Sequence, residues 1–481
     1  MTGTEQFISE IRSLLGADNV FTDTAHVYSY SFDSSIYRGR PDAVIRVRST
    51  DDVSGVLKLA NIHEVPVIAR GGGSSLCGQT IPVKGGIIMD MQAMNRIVDI
   101  RVGDLLAVVE SGVVNDQLNV ALKPHGFFFP PGPSSGSVAT FGGMIANNAS
   151  GMNAIKYGAT RDHVLGMTIV LPTGEVVQAG TRTIKNSSGY QIDRLMFGSE
   201  GTLGIVTQAV VRITPLEEYS MGALIGFDTL EAAGQGISNV IAYPLIPTGM
   251  ELMDRVCIDS VNKGMGAGFP DKEALIYVKL GGFKESVERQ KIQLEEIARS
   301  SGSTFMEITD DPSTIAGWTK GRQSVLPCLS RYDPDMVCVN LADDMAVPIS
   351  RLPEAVKRFQ AVSKKHGIIV ATYGHAGDGN LHTKMLVNPT SEKSWRAAEK
   401  TTEGIYDVVL ELGGTVTGEH GISISKAPYF RKERESLIPA MVTLKKALDP
   451  KNILNPGKID QWKGGLYDRL DILRYPVEGS L

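Results

Sequence analysis

The sequence predicts an α+β protein made of two parts and a C-terminal segment, and three observations lead to this prediction. The chain has 481 residues, 42% of them hydrophobic, which is more than one ordinary hydrophobic core accommodates. Short apolar strands in the first 215 residues run into glycine-rich stretches. Beyond residue 220, apolar strands alternate with long amphipathic helices. We therefore expect domains at 1–217 and 218–425 and a C-terminal segment at 426–481.

The first part is expected to begin with an amphipathic helix and to continue as alternating strands and helices. Strand-like segments are bounded by glycine, and a Thr173-Gly174 turn separates two strands. A long loop-rich segment, "FPPGPSSGSVATFGGMIANNASG", interrupts this pattern. The expected elements are a helix at 5–16, strands at 42–49 and 65–73, a capped helix at 50–64, and further strands in "GGIIMDM", "LLAVVESGV" and "DHVLGMTIVLPTGEVVQAG".

The second part is expected to form an antiparallel sheet layered with helices. Apolar runs of strand length alternate with segments of helical period, and the tail has a helix that ends at an Asp-Pro pair. The expected strands are "SMGALIGFD" and "EALIYVKLGG", and the expected helices are "SVERQKIQLEEIARSSG", "SRLPEAVKRFQAVSKKHG", "KSWRAAEKTTEGIYDVVLELGG" and the start of "MVTLKKALDPKNILNPGKID".

Charge and cysteine usage exclude several functional classes. Lys+Arg number 48 against 53 Asp+Glu, a net charge of -5, so nothing predicts nucleic-acid binding. No apolar run reaches the ~18 residues of a membrane span, and the N-terminus lacks a signal-peptide pattern. We expect a cytoplasmic protein, associated with a membrane only through a partner. The four cysteines, expected as buried thiols, are too scattered to hold an iron–sulfur centre: Cys77, Cys257, Cys328 and Cys338.

The stretch "ARGGGSSLCGQT" follows a predicted strand, where backbone amides can cradle a phosphate. Leu76 occupies the place of the third glycine of GxGxxG, and the chain has no GxxxxGK[ST]. A Rossmann nicotinamide site and a P-loop are therefore disfavoured. Taken alone, the stretch fits a phosphate loop or a simple tight turn.

Three further segments change this interpretation: "PPGPSSGSVATFGGMIANNASG", "KYGATRDHVLGMTIVLPTGEV" and "FGSEGTLGIVTQAVVRITP". With the glycine loop they resemble, in order and spacing, the FAD domain of vanillyl-alcohol-oxidase/PCMH-type flavoproteins. The resemblance implies that the glycine loop wraps the pyrophosphate, the second segment covers the isoalloxazine and "GSEGTLGIVT" lines adenine and ribose. The implied cofactor residues are Arg70, Gly71, Gly72, Gly73, Ser74, Ser75, Pro131, Gly132, Ser135, Thr140, Gly143, Ala146, Asn147, Asn148, Glu200, Gly201, Gly204 and Ile205.

The chain departs from this family pattern in two places. Covalently flavinylated relatives often carry a histidine in the first loop, where this chain has glycine and serine. FAD is therefore expected to be bound without a covalent bond. Many relatives also read "PPDP" where Gly132 stands here, which removes one expected side-chain contact to the cofactor.

The stretch "YGHAGDGNLHTKM" places two histidines around a predicted hairpin. With Asp378-Gly379 as a two-residue loop, His375 opposes His382 on one face of the sheet. Directly opposed residues have Cβ atoms roughly 4.5–5.5 Å apart, so the two imidazoles can share a divalent ion. The alternative is a pair of histidines whose ring nitrogens are satisfied by hydrogen bonds.

A second motif, "VTGEHGIS", contributes Glu419 and His420. Glu419 can supply a third ligand, which leaves coordination positions open as in a catalytic site. Neighbours on a regular strand face opposite ways, but the flanking glycines allow a turn that brings both side chains towards one cavity. One is then ligand and the other base, and the sequence leaves open which is which.

Both histidine motifs resemble the metal-dependent D-2-hydroxy-acid dehydrogenase branch, which includes D-lactate dehydrogenase, the glycolate oxidase flavin subunit and D-2-hydroxyglutarate dehydrogenase. The resemblance implies a divalent cation (Zn, Mn or Fe) on His375, His382 and Glu419, with His420 as base. It also places Asn380 beside the site. The tail "DPKNILNPGKI" matches as well, which implies that Asn455 returns to the flavin.

A guanidinium is expected to clamp the substrate carboxylate. Arg322, in "GWTKGRQSVLP", matches the family's arginine after a tryptophan, with an ordinary surface arginine as the alternative. Arg38 and Lys384 are weaker candidates for substrate binding.

The expected function is oxidation of a D-2-hydroxy acid, D-lactate first, with hydride transfer to flavin N5. Glycolate and D-2-hydroxyglutarate are alternative substrates. Electrons are expected to pass to an electron-transferring flavoprotein, an iron–sulfur subunit or a quinone, and a homodimer is left open. Two other classes remain: a metallohydrolase, and a flavin-carrying electron-transfer subunit without its own substrate.

Overall fold

The computed structural model describes residues 3–459, so the ends of the expected first domain and C-terminal segment, 1–2 and 460–481, lie outside the described residues. The chain forms two compact units. The first unit runs to Ser150, resumes over Gly158–Leu216 and takes up the chain again from Glu419; the second comprises Gly151–Tyr157 and Glu217–Gly418. The expected domain ranges did not foresee the transfer of Gly151–Tyr157 to the second unit.

The strands of the first unit form two main sheets and a short pair. One sheet has the order β1-β2-β4-β3, with β2, β4 and β3 parallel; the other is antiparallel with the order β5-β6-β10-β8-β9. The strands are β1 (Val20–Phe21), β2 (Ala43–Arg46), β3 (Val67–Arg70), β4 (Ile87–Asp90), β5 (Ile97–Arg101), β6 (Leu106–Glu110), β7 (Phe127–Phe128), β8 (Val164–Val170), β9 (Val176–Gly180), β10 (Ile205–Arg212) and β11 (Thr214–Pro215).

The second unit contains one antiparallel eight-stranded sheet, ordered β15-β12-β14-β13-β18-β19-β16, with β17 paired to β19. This confirms the expected α+β layer with an antiparallel sheet. Its strands are β12 (Tyr219–Phe227), β13 (Gly249–Asp254), β14 (Ala274–Gly282), β15 (Phe305–Thr309), β16 (Val337–Val339), β17 (Met345–Ala346), β18 (Ile369–Gly374) and β19 (Asn380–Val387).

Helices cover the sheets of both units, and the helices that the sequence predicted are present. Helix 50–63, for example, begins at Ser49, whose side chain and that of Asp52 form a capping box. The helices are α1 (Gly3–Leu15), α2 (Thr24–Ser29), α3 (Thr50–His63), α4 (Asn115–Leu122), α5 (Phe141–Asn147), α6 (Ala154–Tyr157), α7 (Thr160–His163), α8 (Leu230–Ala242), α9 (Arg255–Met265), α10 (Lys284–Ser300), α11 (Pro312–Gln323), α12 (Val325–Leu329), α13 (Leu352–His366), α14 (Glu392–Glu411), α15 (Ala427–Arg434) and α16 (Ile438–Leu448). Of the longer helices, α8, α9 and α11 were not predicted.

The cores reflect these layers. Strands of the parallel sheet are apolar runs, and β4 is buried along its whole length, as expected for a sheet covered on both faces. In the second unit, β13 and β19 are likewise buried throughout. Cys77, Cys257 and Cys328 are buried free thiols, as predicted, while Cys338 is partly exposed. Within residues 3–459, no helix combines the length and apolar character that a membrane crossing requires.

The predicted two-residue hairpin loop is wrong. Strand β18 ends at Gly374, and His382 pairs with Tyr373, two residues before His375. Residues 376–378 form a 3-10 turn, and Gly379 closes the connection at φ 83°. A Cβ at Gly379 would lie 2.1 Å from the carbonyl oxygen of Val347. The connection between β18 and β19 is therefore longer than two residues, and His375 is not paired with β19.

Candidate functional site

The glycine loop of the first unit lies against the second predicted flavin segment without room for side chains. A Cβ at Gly71 would lie 2.0 Å from Thr140 Oγ1, and one at Gly72 would lie 2.1 Å from the carbonyl oxygen of Val138. Gly73 has φ 64°, a region that strongly favours glycine. The loop therefore has a run of backbone without side chains, which a close approach to a ligand requires.

Arg70 ends β3 and is turned into the protein rather than towards solvent. Its Nη1 atom donates to the carbonyl oxygen of Phe32 at 2.7 Å, and its guanidinium lies over the ring of Tyr30, 5.2 Å from the centroid. Burial lowers the pKa of Arg70, against the opposing effect of Asp33. These contacts of Arg70 thus stabilise the start of the glycine loop.

Asn455 joins two predicted flavin segments. Its Nδ2 atom donates to the carbonyl oxygens of Gln79 at 2.9 Å and Glu200 at 2.8 Å. The backbone amide of Glu200 in turn donates to the carbonyl oxygen of Ala146 at 2.9 Å. Segments that are hundreds of residues apart in the sequence therefore meet in the first unit.

Glu200 is buried at this junction. Its Oε1 atom accepts hydrogen bonds from the amides of Ile422 at 2.6 Å and Ser423 at 3.0 Å. Burial raises the pKa of Glu200 to about 7, although these amides and Lys458 oppose the shift. Burial likewise lowers the pKa of Lys458 to about 7. Glu200 and Lys458 thus both have a pKa near neutral pH, because this part of the first unit is poorly hydrated.

Several buried polar atoms here have no hydrogen-bond partner among the described residues: Ser111 Oγ, Thr140 Oγ1, Glu200 Oε2 and Asn455 Oδ1. Buried polar groups are normally satisfied, so these atoms indicate a missing polar ligand. Bare glycine backbone next to unsatisfied donors and acceptors fits a dinucleotide such as FAD. The other predicted cofactor residues of the same unit are Ser74, Ser75, Pro131, Gly132, Ser135, Gly143, Ala146, Asn147, Asn148, Gly201, Gly204 and Ile205.

Glu419 and His420 also lie in the first unit. Glu419 Oε1 is 3.5 Å from His420 Nε2, and Glu419 Oε2 accepts a hydrogen bond from Ser150 Oγ at 3.0 Å. Gly421 follows at φ 82°. The two side chains thus approach each other instead of facing opposite ways, because the glycine-flanked segment bends.

In the second unit, His375 and His382 lie close together although the hairpin register differs from the prediction. Their ring centroids are 5.4 Å apart with an interplanar angle of 87°. Both residues are buried. Because His382 sits on β19 and His375 begins the 3-10 turn, one ligand is fixed by the sheet and the other by the turn.

Each histidine has a carboxylate at Nδ1. Glu251 Oε1 lies 2.6 Å from His375 Nδ1, and Asp343 Oδ1 lies 3.3 Å from His382 Nδ1. Metal-binding histidines almost always donate the other ring N–H to a carboxylate, a backbone carbonyl or water, which fixes the ring and its tautomer so that Nε2 is the ligand atom. The donor set therefore fits a divalent metal such as Zn, Mn or Fe.

The two predicted substrate cations are buried partners of these carboxylates. Arg322 is 4% exposed, so the surface-arginine alternative is wrong; its Nη2 atom is 2.6 Å from Glu251 Oε2. Lys384 Nζ contacts Asp343 Oδ2. Arg38, the third candidate, is exposed and lies in the first unit.

Asn380 lies in the same unit as the histidines. Its Nδ2 atom donates to Asp344 Oδ1 at 3.0 Å, and its Oδ1 atom is buried without a partner among the described residues. Asp344 also accepts hydrogen bonds from Thr417 Oγ1 at 2.7 Å and from the amide of Gly418. The segment immediately before Glu419 in the chain is thereby anchored.

Sequence reasoning missed Glu251, Asp343 and Asp344. Glu251 lies in the apolar strand "GMELMD", where a single acidic residue on a fully buried strand was a usable signal. Asp343 and Asp344 stand in "LADDMAVP", between two apolar stretches. No motif joined these carboxylates to the histidines, because the contacts arise from strand pairing between distant segments.

Solved structures similar to this chain establish the class of fold. A 4-ethylphenol oxidase from Gulosibacter chungangensis matches with a TM-score of 0.77 at 19% identity, covering 96% of this chain and 97% of that one. A p-cresol methylhydroxylase matches with a TM-score of 0.78 at 17% identity, covering 95% and 97%. The fold is thus that of the PCMH-type flavoproteins, and the fold prediction is confirmed.

Family models match both units: a FAD binding domain at residues 41–180 and the C-terminal domain of FAD linked oxidases at residues 216–459. The glycolate oxidase subunit GlcD of Bacillus subtilis is 36% identical over 459 residues, 95% of this chain and 97% of the relative. The mitochondrial D-lactate dehydrogenase [cytochrome] of Arabidopsis thaliana is 32% identical, covering 95% and 80%.

The D-lactate dehydrogenase of Archaeoglobus fulgidus is 34% identical over 442 residues, 90% of this chain and 95% of the relative. The chain therefore belongs to the FAD-linked oxidase family and is an FAD-linked oxidoreductase of the D-lactate dehydrogenase/glycolate oxidase type. The metallohydrolase alternative is wrong, because it treated the flavin segments as merely structural.

Proposed function

We propose that the protein oxidises a D-2-hydroxy acid, with D-lactate as the leading substrate, and that it uses noncovalent FAD and one divalent cation. The observation that carries the proposal is the pair His375 and His382, each with a buried carboxylate at Nδ1. The names of the relatives from Arabidopsis and Archaeoglobus support D-lactate.

His375 and His382 would hold the cation, and the family resemblance adds Glu419 as the third ligand. When bound, the cation supplies a Lewis acid for the substrate hydroxyl and the flavin supplies a hydride acceptor. Because both histidines are buried, water is largely excluded from them. Low hydration strengthens the electrostatic stabilisation of a developing alkoxide.

Arg322 is proposed to bind the substrate carboxylate. Its Nε atom is buried without a hydrogen-bond partner among the described residues, and a carboxylate oxygen would satisfy it. Glu251 and the ring of Tyr373, 4.6 Å from the guanidinium carbon, fix the plane of the guanidinium. The carboxylate would therefore meet a preorganised donor rather than a flexible side chain. Asn380, with its unsatisfied Oδ1 atom, and Lys384 remain additional candidates for polar contacts to the substrate.

His420 is proposed as the base that removes the hydroxyl proton, since an imidazole suits this role near neutral pH. The reduced flavin must then pass its electrons on. One relative is named a subunit of glycolate oxidase and another carries cytochrome in its name. We propose a separate acceptor for this chain: an electron-transferring flavoprotein, an iron–sulfur subunit or a quinone.

The test is anaerobic addition of D-lactate, L-lactate and glycolate to the purified protein while the oxidised-flavin absorbance is recorded. Fast bleaching by D-lactate and not by L-lactate is expected, because a fixed arginine and a fixed base select one face of Cα. Bleaching by glycolate with higher kcat/KM would instead favour the second candidate, glycolate oxidation, which the Bacillus relative's name suggests. If no 2-hydroxy acid reduced the flavin, the protein would be an electron-carrying subunit.

A further inference from the structure

Two buried carboxylates of the second unit each stand between a histidine and a cation. Glu251 is 0% exposed and lies 2.6 Å from both His375 Nδ1 and Arg322 Nη2. Asp343, 2% exposed, lies 3.3 Å from His382 Nδ1 and contacts Lys384 Nζ. The same three-part arrangement thus occurs twice, once for each histidine.

Burying such an arrangement costs free energy of folding. Removing a carboxylate from water costs roughly several kcal/mol per ion, and a buried ion pair is often no more stable than a hydrophobic replacement. Glu251 sits in the middle of β13, between Met250 and Leu252, where an apolar residue would pack well. A strand that tolerates an acidic residue at this position indicates that the carboxylate serves the neighbouring histidine.

The geometry of Glu251 agrees with this view. Its Oε1 atom is hydrogen-bonded to His375 Nδ1 at 2.6 Å, and its Oε2 atom forms an ion pair with Arg322 Nη2 at 2.6 Å. A glutamate has two carboxylate oxygens for this purpose, and Oε1 faces the histidine while Oε2 faces the arginine.

We propose that Glu251 is a positioning residue that orients the metal ligand His375 and the substrate-binding Arg322 together, and that Asp343 orients His382 in the same way. This inference rests on the proposed function, because it assigns a purpose to the carboxylates only if the histidines bind a cation. Glu251 touches neither substrate nor metal. It fixes the ring of His375 through Nδ1, so that Nε2 is presented as ligand.

Glu251 also links metal binding to substrate binding. A rotation of its carboxylate that broke the contact to His375 would also move the oxygen that holds Arg322. A metal-bound His375 therefore stabilises the orientation of Arg322, and loss of Glu251 is expected to weaken both metal and substrate binding. Glutamine is the informative replacement, because its amide keeps the shape but offers one acceptor oxygen instead of two.

The experiment measures the Kd of Mn²⁺ for metal-stripped, FAD-loaded protein from the EPR signal of free Mn²⁺. We compare the wild type with Glu251→Gln, Asp343→Asn and Asp254→Asn. Asp254 is the matched control: it lies on the same strand, is buried, and accepts from the amides of Cys257 at 3.0 Å and Thr372 at 2.6 Å. It has no assigned role in binding metal or substrate.

Glu251→Gln and Asp343→Asn are expected to raise the Kd about 10- to 100-fold, the usual cost of removing the carboxylate behind a metal-bound histidine. Asp254→Asn is expected to stay within about twofold even if it lowers the Tm. Glu251→Gln is also expected to raise the KM for D-lactate, since Arg322 loses its orientation. Such a KM effect would be absent in Asp254→Asn.

Two results overturn the inference, and they differ in what they leave standing. If the wild type binds Mn²⁺ and both carboxamide variants bind it as tightly, Glu251 and Asp343 are structural only and the proposed function survives. If the wild type has no chelator-sensitive divalent site, the proposed metal dependence fails and the inference fails with it. Should Glu251→Gln not fold, Asp343→Asn gives the same decision through His382.

Discussion

Arg322 Nη2 lies 2.6 Å from Glu251 Oε2, and the two side chains are 5% and 0% exposed. Breaking a buried ion pair of this kind is strongly destabilising, because removal of one partner leaves the other charge buried and uncompensated. Because Glu251 also contacts His375 Nδ1, the ion pair constrains the orientation of the proposed metal ligand. A large energetic coupling between the two residues is therefore expected.

Replacing Arg322 alone is expected to destabilise the protein by about 3–5 kcal/mol, since Glu251 is left without its cation. The double variant Arg322→Met/Glu251→Gln is expected to recover more than half of that loss. Urea unfolding of the four proteins of this cycle measures the coupling. Strictly additive losses would show that the pair is not energetically coupled.

Arg255→Met is the control for the loss of an arginine as such. Arg255 pairs with Asp259 and Asp271 at the surface, where ion pairs contribute little. Only a small change in stability is expected for this variant. A loss as large as that of Arg322→Met would mean that burial of the pair is not the cause.

Gly72→Ala is expected to abolish FAD retention. The new Cβ would lie 2.1 Å from the carbonyl oxygen of Val138, and because that atom is backbone, the whole loop must shift. The matched control is Gly103→Ala in the same unit, where no atom lies within 4 Å of a Cβ. The ratio of flavin absorbance to protein after gel filtration is the measurement. Equal ratios in both variants would argue against a close backbone approach to FAD.

Asn455→Asp is expected to weaken FAD binding by at least about tenfold, because both hydrogen bonds donated by Nδ2 are lost and a charge is buried. Those bonds hold Gln79 and Glu200 together. Asn452→Asp is the control, since Asn452 also has a positive φ, 53°, but is exposed. FAD dissociation constants from fluorescence recovery test the pair. If the two variants behaved alike, the bridge would be irrelevant to the cofactor.

Much of the fold was predictable because local patterns and packing agree. The helix after Ser49, the two strands around the Thr173-Gly174 turn and the antiparallel second unit follow from capping residues, turn glycines and apolar periodicity. The resemblance to the flavin domain could be recognised because positions without room for a side chain give a strong sequence signal. A Cβ at Gly71 or Gly72 would lie 2.0 or 2.1 Å from a neighbouring atom, so these positions favour glycine strongly.

The site itself was only partly predictable. The proximity of His375 and His382 was correct, but the hairpin register was not, because Ala376–Asp378 form a helical turn where a tight two-residue loop was expected. The contacts of Glu251 could not be predicted for a different reason. Its partners come from α11 and from the turn after β18, and a contact between distant segments leaves no spacing to read.

The stability of the protein is expected to fall as pH rises from about 4 to 6 because of Asp254. Burial raises the pKa of Asp254 to about 6, despite hydrogen bonds from the amides of Cys257 and Thr372. The folded state therefore binds a proton that the unfolded chain, with a carboxyl pKa near 3.9, has already released. The stabilisation is complete below about pH 4 and is lost as pH rises through about 6.

The difference in unfolding free energy between wild type and Asp254→Asn isolates this group, because the other carboxyl groups cancel. It is expected to shift by roughly 2 kcal/mol in favour of the variant between pH 4 and pH 7, because at pH 4 about half of the unfolded chains still carry the proton. Urea unfolding at several pH values measures it. A difference that does not change with pH would show that Asp254 titrates normally.

The metal dependence of flavin reduction decides whether this protein uses a divalent cation. D-lactate is added anaerobically to the protein as purified, to protein stripped by a chelator, and to stripped protein after return of Mn²⁺ or Zn²⁺, while flavin absorbance is recorded. We predict fast bleaching, slowing by at least about a hundredfold after stripping, and recovery with the metal, all without loss of bound FAD. Equally fast bleaching of stripped protein, shown by analysis to contain no metal, would contradict this prediction.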